Sequence, residues 1–328
     1  TSPNGREWNP VTSGTEKNLT GIAFNGTKFA AVGDRGTLLV SENGTAWSRI
    51  VPDKEYSLSE IASGDGTFIT THKDTFNSIL VSEDGADWNP VEPVTDLYGY
   101  GNPSYNGETF LMTAKIPHQD GTAMVASKDG KVWTRVENAP KVNAVASGGA
   151  GFIALGDAAR DENNILTQKI YTSADGRNWT AGSVKWDGGS YSELMFVKYL
   201  NNEWIGFSLH GEIYSSENGV NWTREVTGLD HAYQNIAWDG SQFVAYDNIG
   251  GMAVSKDGTV WTKSGVRLNL GLPVKGISFL DKNVIAVISG NPAQLHISKD
   301  GLNWKRQEIE GLNGLQYGRL ISAETSTS

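Results

Sequence analysis

Apolar and polar residues alternate along most of the chain in short runs separated by glycine-containing turns. The first clear stretch has four such runs, at 19–24, 28–32, 37–40 and 47–50. A period of two residues predicts β-strands, and turns this short predict that consecutive strands are antiparallel neighbours. No stretch shows the period of a long amphipathic helix. The pattern therefore predicts an all-β chain.

One seven-residue motif recurs through this pattern. It reads Ser-x-Asp/Asn-Gly-x-x-Trp, is called the turn motif below, and occurs at 2–8, 41–47, 82–88, 127–133, 173–179, 216–222, 255–261 and 298–304. Successive motif tryptophans are 39, 41, 45, 46, 43, 39 and 43 residues apart, which is the period of a four-stranded propeller blade. The sequence therefore predicts a seven-bladed β-propeller of antiparallel blades, spanning residues 1–328 as a single domain.

The two ends of the chain fit this repeat less well. Residues 1–12 hold a turn motif and a strand with no strands before them, and residues 312–322 read as an extra strand with nothing after it. We expect both segments to pack as accessory strands beside seven blades; the alternative is an eighth, partial blade. Residues 323–328 are predicted to be a polar tail, and the start at Thr1 leads us to expect a mature or excised segment.

The turn motif has the chemistry of a tight hairpin. An Asp-Gly or Asn-Gly pair supplies the positive φ that a tight turn requires. The serine and the Asp or Asn side chains can bond turn amides that lack a strand partner. The tryptophan then opens the next strand, where we expect its ring to fill the gap between neighbouring blades rather than to bind a ligand.

In these residues the chain resembles the Asp-box (BNR-like) repeats of bacterial neuraminidase-type propellers, whose motif is one residue longer. The resemblance covers nearly the whole chain and implies the propeller fold and a bacterial secreted or cell-surface protein. It does not imply neuraminidase activity, because the family's Phe/Tyr-Arg-Ile-Pro motif is missing and its Asp boxes lie away from the catalytic site. Outside the motif strands the arginines are few: Arg35, Arg160, Arg267 and Arg319.

Composition narrows the classes of partner. A formal net charge of −10 and a pI near 5.0 argue against nucleic acid, whose phosphates need a basic surface. The absence of cysteine excludes disulfides, thiol catalysis and Cys-ligated metal sites. No run of 18 apolar residues occurs, so membrane insertion is not predicted. We expect a monomer or a part of a longer chain.

The longest loops point to one side of the propeller. If the strands of a blade are A to D in chain order, A–B and C–D turns share one side, and B–C and D–A loops share the other, called the loop side below. Long loops at 71–77, 115–121, 157–164, 96–100, 186–191, 230–233 and 267–270 all fall on the loop side. So do four of the five histidines, including His72. The candidate ligand-binding residues are Trp186, Tyr98, Tyr100, Tyr191, Tyr233, His118, His210, His231, Arg160 and Asp120.

Our main interpretation is a non-catalytic recognition module that binds carbohydrate or protein through the loop side. Aromatic rings stack on sugars while short carboxylates bond the hydroxyls. The acids available are Asp74, Asp120 and Asp187. A structural scaffold is a second interpretation, and it predicts no ligand.

Two further interpretations concern chemistry at the same loops. His72 with Asp74, and His118 with Asp120, offer ligands for a divalent ion such as calcium; no other cofactor is expected. A polysaccharide hydrolase or lyase would use His118 or His210 as the base. The acid would be Tyr100 or Tyr233.

Overall fold

A computed structural model of the chain describes residues 11–51, 57–72, 78–119, 121–149, 151–160, 162–186, 193–208, 212–225, 233–247, 249–265, 267–268, 274–280, 283–288 and 294–307. These residues form twenty-eight β-strands and one 3-10 turn, Asp34–Gly36. The strands pair into seven four-stranded antiparallel sheets, each in chain order. The predicted all-β, seven-bladed β-propeller is confirmed, and each sheet is one blade.

Blades one to four belong to one compact unit. Their strands are β1 (Leu19–Phe24), β2 (Phe29–Gly33), β3 (Leu38–Ser41), β4 (Ser48–Ile50), β5 (Leu58–Gly64), β6 (Thr67–His72), β7 (Ile79–Ser82), β8 (Asn89–Val91), β9 (Ser104–Tyr105), β10 (Phe110–Lys115), β11 (Thr122–Ser127), β12 (Thr134–Arg135), β13 (Ala144–Gly148), β14 (Gly151–Arg160), β15 (Leu166–Ser173) and β16 (Thr180–Trp186).

Blades five to seven belong to a second compact unit. Their strands are β17 (Leu194–Leu200), β18 (Glu203–Ser208), β19 (Ile213–Ser216), β20 (Thr223–Glu225), β21 (Tyr233–Trp238), β22 (Phe243–Asp247), β23 (Met252–Ser255), β24 (Trp261–Lys263), β25 (Val274–Leu280), β26 (Asn283–Ile288), β27 (Gln294–Ser298) and β28 (Trp304–Gln307). The predicted terminal strands and tail lie outside the described residues, except for residues 11 and 12. No helix in the described part of the chain is long and apolar enough to cross a bilayer.

The turn motif folds as predicted, and blade three shows its bonding. Ser127 Oγ accepts a hydrogen bond from the N–H of Gly130 at 2.9 Å and donates to Asp129 Oδ1 at 3.1 Å. Asp129 Oδ1 also accepts from the N–H groups of Lys131 and Val132, at 2.8 and 3.0 Å. Gly130 has a φ of +74°, which glycine adopts without steric cost. The motif side chains thus supply the bonds that the strands cannot.

The motif tryptophans pack between blades. Trp133 is 7% exposed, and its indole N–H donates to the carbonyl of Gly130 at 2.7 Å. Its ring shares one hydrophobic cluster with Ile69 and Val81 of blade two and with Phe110 of its own blade. The equivalent tryptophans of blades two, four, six and seven also pack in clusters that contain residues of the preceding blade. The prediction that these rings are wedges is confirmed for these five blades.

Side-chain bonds link the turns of neighbouring blades. Asn25 lies in the turn between β1 and β2, and its Nδ2 donates to the carbonyls of Gly66 and Glu83 at 2.7 and 3.1 Å. Gly66 lies in the A–B turn of blade two, and Glu83 in its turn motif. Asn106 of blade three reaches the turn motif of blade four in the same way, donating to the carbonyl of Ala174. Within this unit, A–B turns and turn motifs therefore share one side, as predicted.

Blade four corrects the prediction of a long loop at 157–164. Strand β14 continues through a bulge between Leu155 and Ala158 and pairs with β15 as far as Arg160 and Leu166. Strand β16 pairs with the same part of β15, where Trp186 lies opposite Leu166. Trp186 therefore ends a strand instead of beginning a loop. The sequence did not predict this extension because residues 157–164 are mostly polar. Strand pairing is made by backbone groups, so it continues wherever a partner strand is available.

Two other predicted loop residues also lie in strands. His72 is the last residue of β6, pairs with Leu58 and is 8% exposed. Tyr233 is the first residue of β21 and pairs with Asp247. In both places the strand extends further toward the loop side than the apolar run does.

The free energy of unfolding should fall when the pH drops below about 4. Five motif aspartates have a pKa below the ordinary 3.8, and in four of them the largest cause is a hydrogen bond accepted from the N–H three residues further on. These four are Asp84, Asp129, Asp175 and Asp257, and the fifth is Asp300. A carboxyl whose pKa is lower in the folded than in the unfolded chain stabilises the fold above its unfolded pKa, and this contribution is lost as the pH falls through the folded pKa.

Urea unfolding at several pH values measures this dependence. The double variant Asp129→Asn, Asp175→Asn should show a shallower decline between neutral and acid pH, because an amide does not titrate there. Two of the described motifs already carry asparagine at this position, Asn43 and Asn218, with the same bonds to the turn. An equally steep decline in the variant would assign the acid sensitivity to other groups.

Candidate functional site

The loop side of blade three is fixed by backbone pairing. The N–H of Tyr98 donates to the carbonyl of Lys115 at 3.0 Å, and the N–H of Lys115 donates to the carbonyl of Tyr98 at 2.7 Å. The N–H of Gly101 donates to the carbonyl of Thr113 at 2.8 Å. The connection that precedes β9 therefore runs along the end of β10. It holds the half-buried Tyr98 beside the start of the B–C loop.

Two lysines and a histidine lie at this end of blade three. Lys115 and His118 are exposed, and His118 has a φ of +59° in the turn that follows β10. Lys141 is exposed in the connection to blade four, and its side chain passes 3.5 Å from the position that a Cβ on Gly121 would occupy. We call Lys115, His118 and Lys141 the basic strip. The basic strip is a local cluster of basic side chains in a chain whose formal charge is −10.

Tyr100, predicted as an exposed loop aromatic, belongs instead to the hydrophobic core. It is 7% exposed and packs in one cluster with Leu97 and Met112. Its hydroxyl accepts a hydrogen bond from the N–H of Val94 at 2.9 Å, and burial raises its pKa. The ring is therefore closed to stacking on a ligand, and the phenol is not placed to act as a catalytic acid.

Arg160 and Trp186 share one row of blade four. Arg160 on β14 pairs with Leu166 on β15, and Leu166 pairs with Trp186 on β16. Neighbouring strands lie about 4.8 Å apart, so the two backbones are about 10 Å apart. The guanidinium of Arg160 is exposed and donates to the carbonyl of Asn164 at 2.7 Å. The structure thus brings these two predicted residues to the loop end of the same blade.

The other predicted site residues lie outside the described part of the chain, and they are Asp120, Tyr191, His210 and His231. Both aspartates of the metal hypothesis, Asp74 and Asp120, are among the residues not described, and His72 is buried. Across the described ranges, no group of three or more histidines and carboxylates is placed to hold a metal ion.

Most shifted pKa values in the described residues follow from turns and burial; the pKa of Lys131 is raised by its bond to Glu83. The lowered aspartates belong to turn motifs, on the side opposite the loop side. In the second unit, burial lowers the pKa of Lys198 to about 8, and its ammonium donates to the carbonyl of Ile236 at 2.9 Å. Burial also raises the pKa of Glu203. The lowered aspartates and the buried Lys198 and Glu203 stabilise the fold. A catalytic acid–base pair would instead share one cleft.

A cavity that the loop analysis did not predict lies between the fourth strands of blades two and three. Its volume is about 820 Å³. The floor is formed by Val81, Val91 and Trp133, and Pro90 and Val132 line its two lips. We call this cavity the blade 2–3 groove. Sequence reasoning missed it because its two lips lie more than forty residues apart and meet only when the blades pack.

No protein-family model matches the chain, and no curated protein matches it significantly. Solved structures of similar fold were found. Sqt1 from Saccharomyces cerevisiae aligns with a TM-score of 0.65 at 10% identity, covering 100% of this chain and 94% of that one. YCF48 from Cyanidioschyzon merolae aligns with a TM-score of 0.54 at 16% identity, covering 85% and 94%. A structure of YCF48 bound to D1 peptide aligns with a TM-score of 0.55 at 16% identity, covering 94% and 100%.

These proteins are β-propellers, and the similarity shows that fold. The resemblance to Asp-box repeats stays a prediction.

Proposed function

We propose that this chain is a non-catalytic recognition module of an exported or cell-surface bacterial protein. Its ligand is an acidic segment of a partner protein, bound on the loop side of blades three and four. The observation that carries the proposal is the basic strip, held beside Tyr98 at the end of β10.

Charge supports an acidic ligand. Lys115 and His118 are exposed, and within the described residues neither forms an ion pair. Opposite charge across an interface speeds encounter and fixes orientation. Arg160, at the loop end of blade four, adds a further exposed cation. Tyr98 adds a half-buried ring to it.

The fold supports a binding role as well. Propellers present their connections at the ends of rigid sheets, and functional residues are common on loops held by such scaffolds. YCF48, a propeller of similar fold, has been solved with a bound peptide. The buried phenol of Tyr100 and the structural origin of the shifted pKa values favour binding over catalysis.

The double variant Lys115→Ala, Lys141→Ala should weaken binding of an acidic peptide by at least about tenfold, which is 1.4 kcal/mol. The probes are twelve-residue peptides rich in Asp and Glu, neutral peptides of matched sequence, and uronic-acid and neutral polysaccharides, tested with and without calcium. Binding of the acidic peptide should also weaken at an ionic strength on the order of 0.5 M. Affinity is measured by calorimetry, and shortened products are monitored in the same samples.

The control variant is Lys128→Ala, Arg177→Ala, which removes two exposed cations from the turn motifs of blades three and four, on the side opposite the loop side. Equal losses in both variants would show a general charge effect and contradict the assigned site. If only a polysaccharide bound, the ligand of the site would be a carbohydrate and not a protein segment. Product formation would make the chain a hydrolase or lyase, and no binding to any probe would favour the scaffold.

A further inference from the structure

The blade 2–3 groove is lined by Pro90 and Val132, which occupy positions that are polar in several other blades. Two positions after the motif tryptophan, five of the other six blades carry a cation: Arg49, Arg135, Arg224, Lys263 and Arg306. Blade two has Pro90 there. The residue before the tryptophan is asparagine in blades four, five and seven and valine in blades three and six, where it is Val132 and Val260. Pro90 and Val132 place apolar groups at the same opening.

Val132 leaves this opening apolar. In blade four the equivalent Asn178 donates from Nδ2 to Asp175 Oδ2 at 2.7 Å, which folds the amide back onto its own turn. Val132 has no such group and is 67% exposed. Below it lie Val91 and Trp133, each 7% exposed. A single exposed valine needs no explanation, but one at the mouth of a cavity with an apolar floor marks a binding site.

The two lips offer different backbone groups. The N–H of Val136 donates to the carbonyl of Met124 at 2.9 Å, and Arg135 pairs with Val125. Hydrogen-bonded and non-bonded pairs alternate in an antiparallel ladder, so the N–H and C=O of Arg135 point away from the blade. On the other lip Pro90 has no N–H to donate. A polypeptide entering the groove can therefore extend the edge of blade three but not that of blade two.

With Glu83, whose carboxylate pairs with Lys131 beside the groove, the rim carries three carboxylates and two cations. Glu92 and Glu137 are exposed, and neither forms an ion pair within the described part of the chain. The ammonium of Lys131 is held by the carboxylate of Glu83 at 2.5 Å. Arg135 contributes one positive charge against the two free carboxylates. A positively charged ligand would complement the carboxylates of Glu92 and Glu137.

We propose that the blade 2–3 groove binds an extended segment of a partner protein in which a bulky apolar residue is flanked by basic residues. The apolar side chain lies between Val132 and the floor at Val91. The basic neighbours pair with Glu92 and Glu137, and the backbone bonds the free edge at Arg135. This site is separate from the basic strip, whose ligand is acidic.

Binding of four synthetic peptides tests the proposal, with calorimetry on the full chain. Twelve-residue peptides carry a central leucine or alanine, flanked by lysines or by glutamates. The leucine peptide with lysine flanks should bind, and each of the other three should bind at least about tenfold more weakly. Val132→Asn should weaken the binding of the first peptide by a similar factor. The variant recreates the motif of blade four, so its fold is expected to persist.

Val260→Asn is the matched control, because Val260 occupies the same motif position in blade six and is 71% exposed. It should leave peptide affinity unchanged. The proposal is overturned if none of the peptides binds, if glutamate flanks serve as well as lysine flanks, or if both valine variants bind the peptide equally. Thermal unfolding of each variant confirms that the comparison is made between folded proteins.

Discussion

Replacing Trp133 by alanine should lower the free energy of unfolding by about 3–5 kcal/mol. The ring is 7% exposed and fills the junction between blades two and three. Its loss leaves a void beside Ile69 and Phe110, whose packing partners on that side disappear. Both blades belong to one compact unit, so the cavity cannot close without moving two sheets. Chemical unfolding of the wild type and the variant measures the difference, and an unchanged midpoint would show that the ring is not a wedge.

Phenylalanine variants separate the ring from its hydrogen bond. Trp133→Phe keeps an aromatic group and removes the indole donor to Gly130, so a loss of about 1 kcal/mol is expected beyond the reduced burial. Trp179 provides the comparison, because its Nε1 is buried without an acceptor among the described residues. Trp179→Phe should lack that extra loss. Equal losses in both variants would show that the bond to Gly130 contributes little.

The blades were predictable because their signals are local. The turn motif contains the side-chain hydrogen bonds of its hairpin, from Ser127 Oγ to the indole N–H of Trp133, within seven residues. The repeat period then fixes the number of strands per blade. What the local signal could not give is strand length on the loop side. The pairing of Arg160, Leu166 and Trp186 depends on three strands meeting, and polar residues do not prevent that.

The site was less predictable because exposure depends on packing between segments. Tyr98 and Tyr100 are two residues apart in the same predicted loop, yet Tyr98 pairs with Lys115 while Tyr100 enters the core. The blade 2–3 groove depends on Pro90 and Val132, which belong to different blades. Each was visible in the sequence as an apolar residue at a position that is polar in several other blades. Only the packed blades show that the two residues face one cavity.

Replacing Gly301 by alanine should lower the free energy of unfolding by about 3 kcal/mol, from two causes that add. Gly301 has a φ of +70°, and an L-residue in that left-handed conformation costs about 1–2 kcal/mol. The new Cβ would also lie 2.5 Å from Val254 Cγ1 and 3.2 Å from Val244 Cγ2, both in blade six. Relieving that overlap means moving blade seven away from blade six. Overpacking of this kind costs about 1–3 kcal/mol.

Gly240 isolates the backbone cause, because it has a φ of +92° and nothing within 4 Å of its would-be Cβ. It lies in the same unit, in the A–B turn of blade six. Gly240→Ala should therefore cost about 1–2 kcal/mol, and the difference between the two variants measures the contact between blades. If the two variants lost equal stability, the motif glycine would be required for its φ alone. A larger loss in Gly301→Ala would show that the glycine also lets adjacent blades approach closely.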